Sequence, residues 1–205
     1  MTRTGDRTPV PSDRGGRPAA TSAHELAAVA QRLFLARGFE QTSVDDIAAA
    51  VGISRRTFFR YFPSKADVLW VESDAELARL REQLSVGLPG EPYRTVVTRA
   101  VIGALHVPEG QHEWARHRAQ LVLSVPAVQV HAAARHAAWR AAAAAFAGVR
   151  SGEPTTALFP TAVGYAVLAA VHAAHEFWIA NPGGDLDEAL ARSLDLLLPP
   201  EPATR

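Results

Sequence analysis

SVDDIAAAVGISRRTFFRYFPSK, residues 43–65, reads as two short helices around a glycine turn, with arginines gathered on the second. Thr42 and Ser43 each stand three residues before an aspartate, Asp45 and Asp46, which is capping-box spacing, so the first helix is predicted to begin near Val44. Val44, Ile47, Ala48 and Val51 share one face of that helix, and Gly52 supplies a backbone able to turn left-handed and stop it. Ser54 then offers an N-cap hydroxyl to a second helix that runs to about Phe62, where Pro63 ends it.

Helical spacing places Arg55, Arg56, Phe59 and Arg60 on one side of the second helix, and Phe58 and Phe62 on the other with Ile53 leading in. A helix anchored by phenyl rings and cationic on its outer side is the layout of a helix-turn-helix that enters a DNA groove. An arginine can pair with the O6 and N7 of guanine or hold a phosphate without reading sequence. Arg55, Arg56 and Arg60 are expected to approach bases, and Phe59 to touch a thymine methyl. Ser54 joins this set at the helix start, while Thr42, Thr57, Tyr61 and Lys65 are expected to hold phosphates. The alternative is a solvated basic face over ordinary core, in a helical interaction module that does not bind DNA.

Charge is distributed accordingly. The 205 residues carry 21 basic and 21 acidic side chains, yet residues 1–65 hold 10 basic and 6 acidic while 66–205 hold 11 and 15. A basic first third suits a polyanion partner. Arg3, Arg7, Arg14 and Arg17 lie in a proline- and glycine-broken arm, residues 1–20, expected to be disordered; it is either a minor-groove reader or a solvated tail. There is no cysteine, so disulfides, thiol catalysis and thiolate metal sites are excluded. No signal-peptide core and no bilayer-length apolar run is evident, and the expected location is cytoplasmic, away from membranes.

The whole chain reads as all-α: a helix-turn-helix domain over 21–66 and a helical ligand-binding and dimerisation domain over 67–205. Ser64 and Asp67 suggest a further capping box opening one long connecting helix to about Ser85. Further helices are expected at about 92–106, 109–123, 126–149, 160–180 and 186–198, separated by GLPGEP, VPEG, RSGEP and NPGGD. Trp114, Trp139, Phe146, Tyr165, His172 and Trp178 either line a mostly apolar small-molecule cavity or belong to the core. Arg116, His117 and Arg118, with Arg135 and Arg140, could meet an anionic ligand end. His172, His175 and Glu176 lack HExxH spacing, so no metal is assigned; with no phosphate loop or GxSxG elbow, neither a cofactor nor an enzyme activity is expected.

Residues 22–65, from SAHELAAVAQRLFLARGFEQTS through ISRRTFFRYFPSK, resemble the DNA-binding head of TetR-family repressors. VPAVQVHAAARHAAWR (125–140) and HAAHEFWIANPGGDL (172–186) resemble regulators of mycofactocin gene clusters within that family. The resemblance implies a homodimer on a pseudo-palindromic operator, released by a small effector, with a long-chain acyl-CoA as the first candidate. Two apolar stripes would either supply a four-helix dimer interface or pack purely within the chain: Val163, Val167, Ala170, Ala174, Phe177 and Trp178 on one helix, and Leu186, Leu190, Leu194 and Leu197 on the next. The connecting helix from Ser64 would carry ligand-induced movement to the heads.

Overall fold

The computed structural model describes residues 22–87 and 90–202, so the N-terminal arm lies outside the described residues. Among those described, regular structure is helical throughout. Three helices form the head: α1 (Ala23–Arg37), α2 (Val44–Ala50) and α3 (Arg55–Tyr61). Ser22 and Glu25 close a capping box on α1, as do Ser43 and Asp46 on α2. Each box satisfies two backbone donors that would otherwise lack partners. Ser54 caps α3 by accepting from the Thr57 N–H. Between α2 and α3, Gly52 sits at φ 71° while Ile53 N–H reaches back to the Ala48 carbonyl at 2.9 Å. A left-handed residue there would strain any side chain, which is why glycine occupies the turn.

Leu26, Phe34, Ile47, Phe58 and Phe62 fill the head core, and Leu121 and Val128 of the body complete it. The head is therefore seated on the body through shared apolar packing.

The expected continuous helix over 64–85 is interrupted. A short 3-10 turn, Ala66–Trp70, is followed by α4 (Ser73–Ser85). The Ser64 hydroxyl bonds the Asp67 carboxylate at 2.7 Å, and Asp67 N–H takes the Ser64 carbonyl in the i to i+3 pattern. Ala66, Val68 and Leu69 all enter the head core, and a tight turn buries three such close-spaced residues better than an α-helix does.

The body continues with α5 (Tyr93–Leu105), α6 (His112–Ser124), α7 (Pro126–Ser151), α8 (Leu158–Ala180) and α9 (Leu186–Leu197). Val96, Val97, Ala100, Val101 and Ala104 of α5 lie in the body core, where the helix packs against α4 and α9. Gly164 lets α8 cross α7 closely, since a Cβ there would lie 2.7 Å from the Arg140 carbonyl oxygen. Contrary to expectation, α8 is long and apolar enough, by length and composition, to cross a membrane. One side of it nevertheless packs into the body core through Val163, Val167, Ala170, Ala174 and Trp178.

Candidate nucleic-acid interface and ligand cavities

α3 is held from behind by Phe58, which is fully buried, and by Phe62, with ring centroids 5.9 Å apart. Arg55, Arg56, Phe59 and Arg60 all face outward, and Ser54 and Thr57 stand at the same end, their hydroxyls 2.9 Å apart. Arg55 bonds Asp45 at 2.9 Å and lies 5.1 Å from the Phe59 ring centroid; Arg60 lies over Tyr61 at 5.4 Å. Arg56 has no partner among the described residues. An exposed pair such as Arg55–Asp45 contributes about 0–1 kcal/mol, so a phosphate or base edge can displace the aspartate at little cost. Asp46, by contrast, has its pKa lowered by the Ser43 hydrogen bonds of its capping box.

Two expected phosphate contacts do not join this surface. Thr42 is 0% exposed, and its hydroxyl donates to the Gly38 carbonyl at 2.8 Å, which locks the bend after α1. Lys65 turns inward too: its ammonium donates to the carbonyls of Phe39 at 2.7 Å and Thr42 at 3.3 Å, and rests 4.3 Å from the Phe39 ring centroid. Both side chains tie the α1–α2 corner together, so their polar groups are spent inside the head.

The body contains two neighbouring cavities. An inner one of about 90 Å³ is bordered by Trp70, Val122, Trp139, Leu168, His136 and His172. An outer one of about 480 Å³ lies against the head, bordered by His24, Glu72, Arg79, Gln111 and Trp114. His136 and His172 bring their Nε2 atoms to 3.4 Å, with ring centroids 4.8 Å apart. His175 donates from Nδ1 to the Val171 carbonyl at 2.8 Å. Burial lowers the pKa of all three histidines, more than any neighbouring charge does. Among the described residues, no group of three or more His, Asp or Glu is placed to hold a metal ion.

Of the expected ligand residues, Trp139, His172 and Arg118 border the inner cavity, and Trp114 and Arg118 the outer. Phe146 and Tyr165 do not. Phe146 faces a separate groove between α4 and α7, and Tyr165 is 57% exposed beneath the Arg140 guanidinium at 4.8 Å. Trp178 is buried, donating its indole N–H to Gly184 at 3.0 Å while Arg116 lies over its ring at 4.1 Å and grips the carbonyls of Trp178 and Pro182. Arg116 and Trp178 thus clasp the α8–α9 corner. His136 escaped the sequence reading, although it stands one turn before Trp139 on α7.

The expected dimer stripe is also corrected. Val167, Ala170, Ala174, Trp178, Leu190 and Leu194 are covered by their own chain, so they have no surface left for a partner; only Phe177 and Leu197 remain exposed. The outward row of α8 is Leu158, Tyr165, Ala169, Ala173 and Phe177, flanked by Leu196 and Leu197 of α9.

Comparison with known proteins bears on this architecture. Residues 26–69 match the model described as bacterial regulatory proteins, tetR family, and residues 91–202 match the MftR C-terminal domain. The mycofactocin biosynthesis transcriptional regulator MftR of Mycobacterium tuberculosis is 34% identical over 184 residues, covering 90% of this chain and 93% of that one. The regulator EthR of Mycolicibacterium smegmatis is 38% identical over 97 residues, 44% of this chain and 43% of its own. Among solved structures, a TetR-family regulator from Syntrophomonas wolfei aligns with a TM-score of 0.62 at 16% identity, covering 85% of this chain and 92% of its own. Thermus thermophilus FadR, a TetR-family repressor in complex with lauroyl-CoA, aligns at 0.52 with 25% identity, covering 86% and 93%.

Proposed function

The chain belongs to the TetR family of bacterial regulatory proteins, and from that premise we propose a homodimeric, ligand-controlled repressor that reads a pseudo-palindromic operator with α3. The observation that carries the reading is the outward cluster of Arg55, Arg56 and Arg60 on a helix backed by Phe58 and Phe62. Arg56, which has no competing partner among the described residues, is the first choice for a base contact, with Arg55 and Arg60 beside it. Phe59 supplies an apolar contact, and Ser54, Thr57 and Tyr61 hold the flanking backbone. Thr42 and Lys65 support the head instead.

A second copy covers the apolar row of Tyr165, Ala169, Ala173 and Phe177, because an exposed stripe of that kind marks an association surface and two heads are needed to span a palindrome. Recognition helices about 34–36 Å apart would then address successive turns of one DNA face. The effector occupies the inner cavity, bounded by Trp139 and the histidine pair. FadR's lauroyl-CoA supports an acyl-CoA as the ligand class, within the wider class of hydrophobic or amphipathic molecules.

Fluorescence anisotropy tests this on DNA from upstream of the protein's own coding sequence, against a random duplex, over a salt series. Specific binding with a steep negative salt slope is expected. Absence of any salt-sensitive affinity for duplex DNA would overturn the regulator reading.

A further inference from the structure

Four residues border both cavities: Glu76, Leu105, Arg118 and His175. Leu105 is apolar and His175 commits Nδ1 to its own helix, so the polar part of the dividing wall is the ion pair of Arg118 on α6 with Glu76 on α4, both mostly buried. The inner cavity, at about 90 Å³, is smaller than the roughly 150 Å³ in which an engineered apolar cavity takes up benzene, so a larger ligand has to extend beyond it, and the adjoining chamber of about 480 Å³ is the neighbour that shares its wall. That pair borders both chambers.

The same arginine touches the head's support. Its guanidinium lies 5.4 Å from the Trp114 ring centroid, and the indole stacks on His24 of α1 at 4.5 Å. His24 in turn meets Glu72 at 3.2 Å. Gln31, buried in α1, sets its amide 3.2 Å from both the Trp114 carbonyl and the indole N–H, and the amide orientation that satisfies both groups donates to the first and accepts from the second. Trp114 is therefore shared between the wall of the outer cavity and the first helix of the DNA-binding head.

We propose that the outer chamber seats the anionic end of a small amphiphile whose apolar end fills the inner cavity, and that Arg118 leaves Glu76 for that anion, loosening Trp114 from α1. This rests on the inner cavity being the effector site. The preference for an anion follows from which partner has a substitute. Glu76 has Arg79 one turn along, bordering the same chamber and using only Nε and Nη2 on the Ala104 carbonyl. Arg118 has only Glu72 as a second bordering carboxylate, and Glu72 is engaged by His24. Exchange therefore leaves no orphaned charge when the newcomer is an anion, whereas a cation would strand Arg118.

The test titrates the full-length protein calorimetrically with octanoate, octanol and octyltrimethylammonium, alone and with operator DNA. Octanoate is expected to bind about tenfold or more tighter than octanol, as suits a charge-assisted arginine contact, and octyltrimethylammonium weakest. A double variant, Glu76→Gln with Arg118→Gln, replaces the ion pair by facing amides and should bind octanoate and octanol alike. Gln31→Leu, away from both cavities, should bind octanoate as before while octanoate no longer weakens its hold on DNA. Equal octanoate and octanol affinities in the unaltered protein overturn the charge-reading role and leave the cavity assignment standing. Failure of all three probes to bind overturns both. Normal DNA release in Gln31→Leu overturns the link through Trp114.

Discussion

α3 and α8 leave opposite kinds of surface outside. α3 buries its phenyl rings and displays arginines; α8 buries one apolar row and displays a second, with Tyr165 and Phe177 outermost. The first is satisfied by water or a polyanion, the second by neither, which is the ground for proposing nucleic acid at one helix and another apolar face at the other. The contrast also shows that hydrophobic periodicity finds the side of a helix its own chain claims first. What a partner receives is the remainder.

The harshest trial of that contrast puts charge on the displayed row. Tyr165→Glu combined with Phe177→Glu should convert the dimer to monomer in sedimentation velocity and cost about 10²–10⁴-fold in operator affinity, the effect of losing the second linked contact. A variant that stays dimeric moves the interface elsewhere. Comparing buried and displayed rows directly, Leu194→Ala should lower unfolding free energy in urea by about 2–5 kcal/mol, whereas Leu196→Ala, at 82% exposed, should stay within about 0.5 kcal/mol in the monomeric background. Similar losses would erase the distinction between the two faces.

On the head, Arg56→Ala should cost about 1–3 kcal/mol of operator binding and relax preference at one base position. Lys65→Ala should instead lower the head's thermal stability, because the Phe39 and Thr42 carbonyls lose their cation. A purely sequence-independent loss in Arg56→Ala would place that residue on phosphate. The mildest difference is in pH response. His136, His172 and His175 have folded-state pKa values below the ordinary 6.5, so on acidification the unfolded chain takes up protons first. Their contribution to stability is complete above about pH 6.5 and drains away below it, until the folded-state values are passed. Thermal melts between about pH 7.5 and 5.5 should therefore decline, and a His136→Gln, His172→Gln variant should decline less.

What was legible in the sequence was local. Ser43, Gly52 and Ser54 act within a few residues of themselves, and each forms the cap or turn its neighbours announce. Thr42 shows the limit: it has the same aspartate spacing as Ser43, but packing around Phe39 and Lys65 decides that its hydroxyl goes inward. The interrupted 64–85 segment has the same cause: Ser64 and Asp67 do not close the expected capping box, the hydroxyl going to the carboxylate instead of the backbone N–H, and Ala66, Val68 and Leu69 are drawn into the head core. For the cavity, Trp139 was readable as a large apolar side chain on α7, but its neighbour His136 gained meaning only when α8 set His172 opposite it. Phe146 lies two turns beyond Trp139 on nearly the same face of α7, and only the elements opposite separate them: the inner cavity for Trp139, the groove beside α4 for Phe146.

Phase matters most on α6. Trp114, Arg116 and Arg118 lie two residues apart and reach α1, the α8–α9 corner and α4 in turn. One inserted residue upstream of Trp114 within that helix would rotate all three grips by about 100° at once, a coordinated slip that no single compensating change elsewhere could undo. The loop before α6 could lengthen without disturbing them, whereas the angular setting of these three side chains leaves no such latitude.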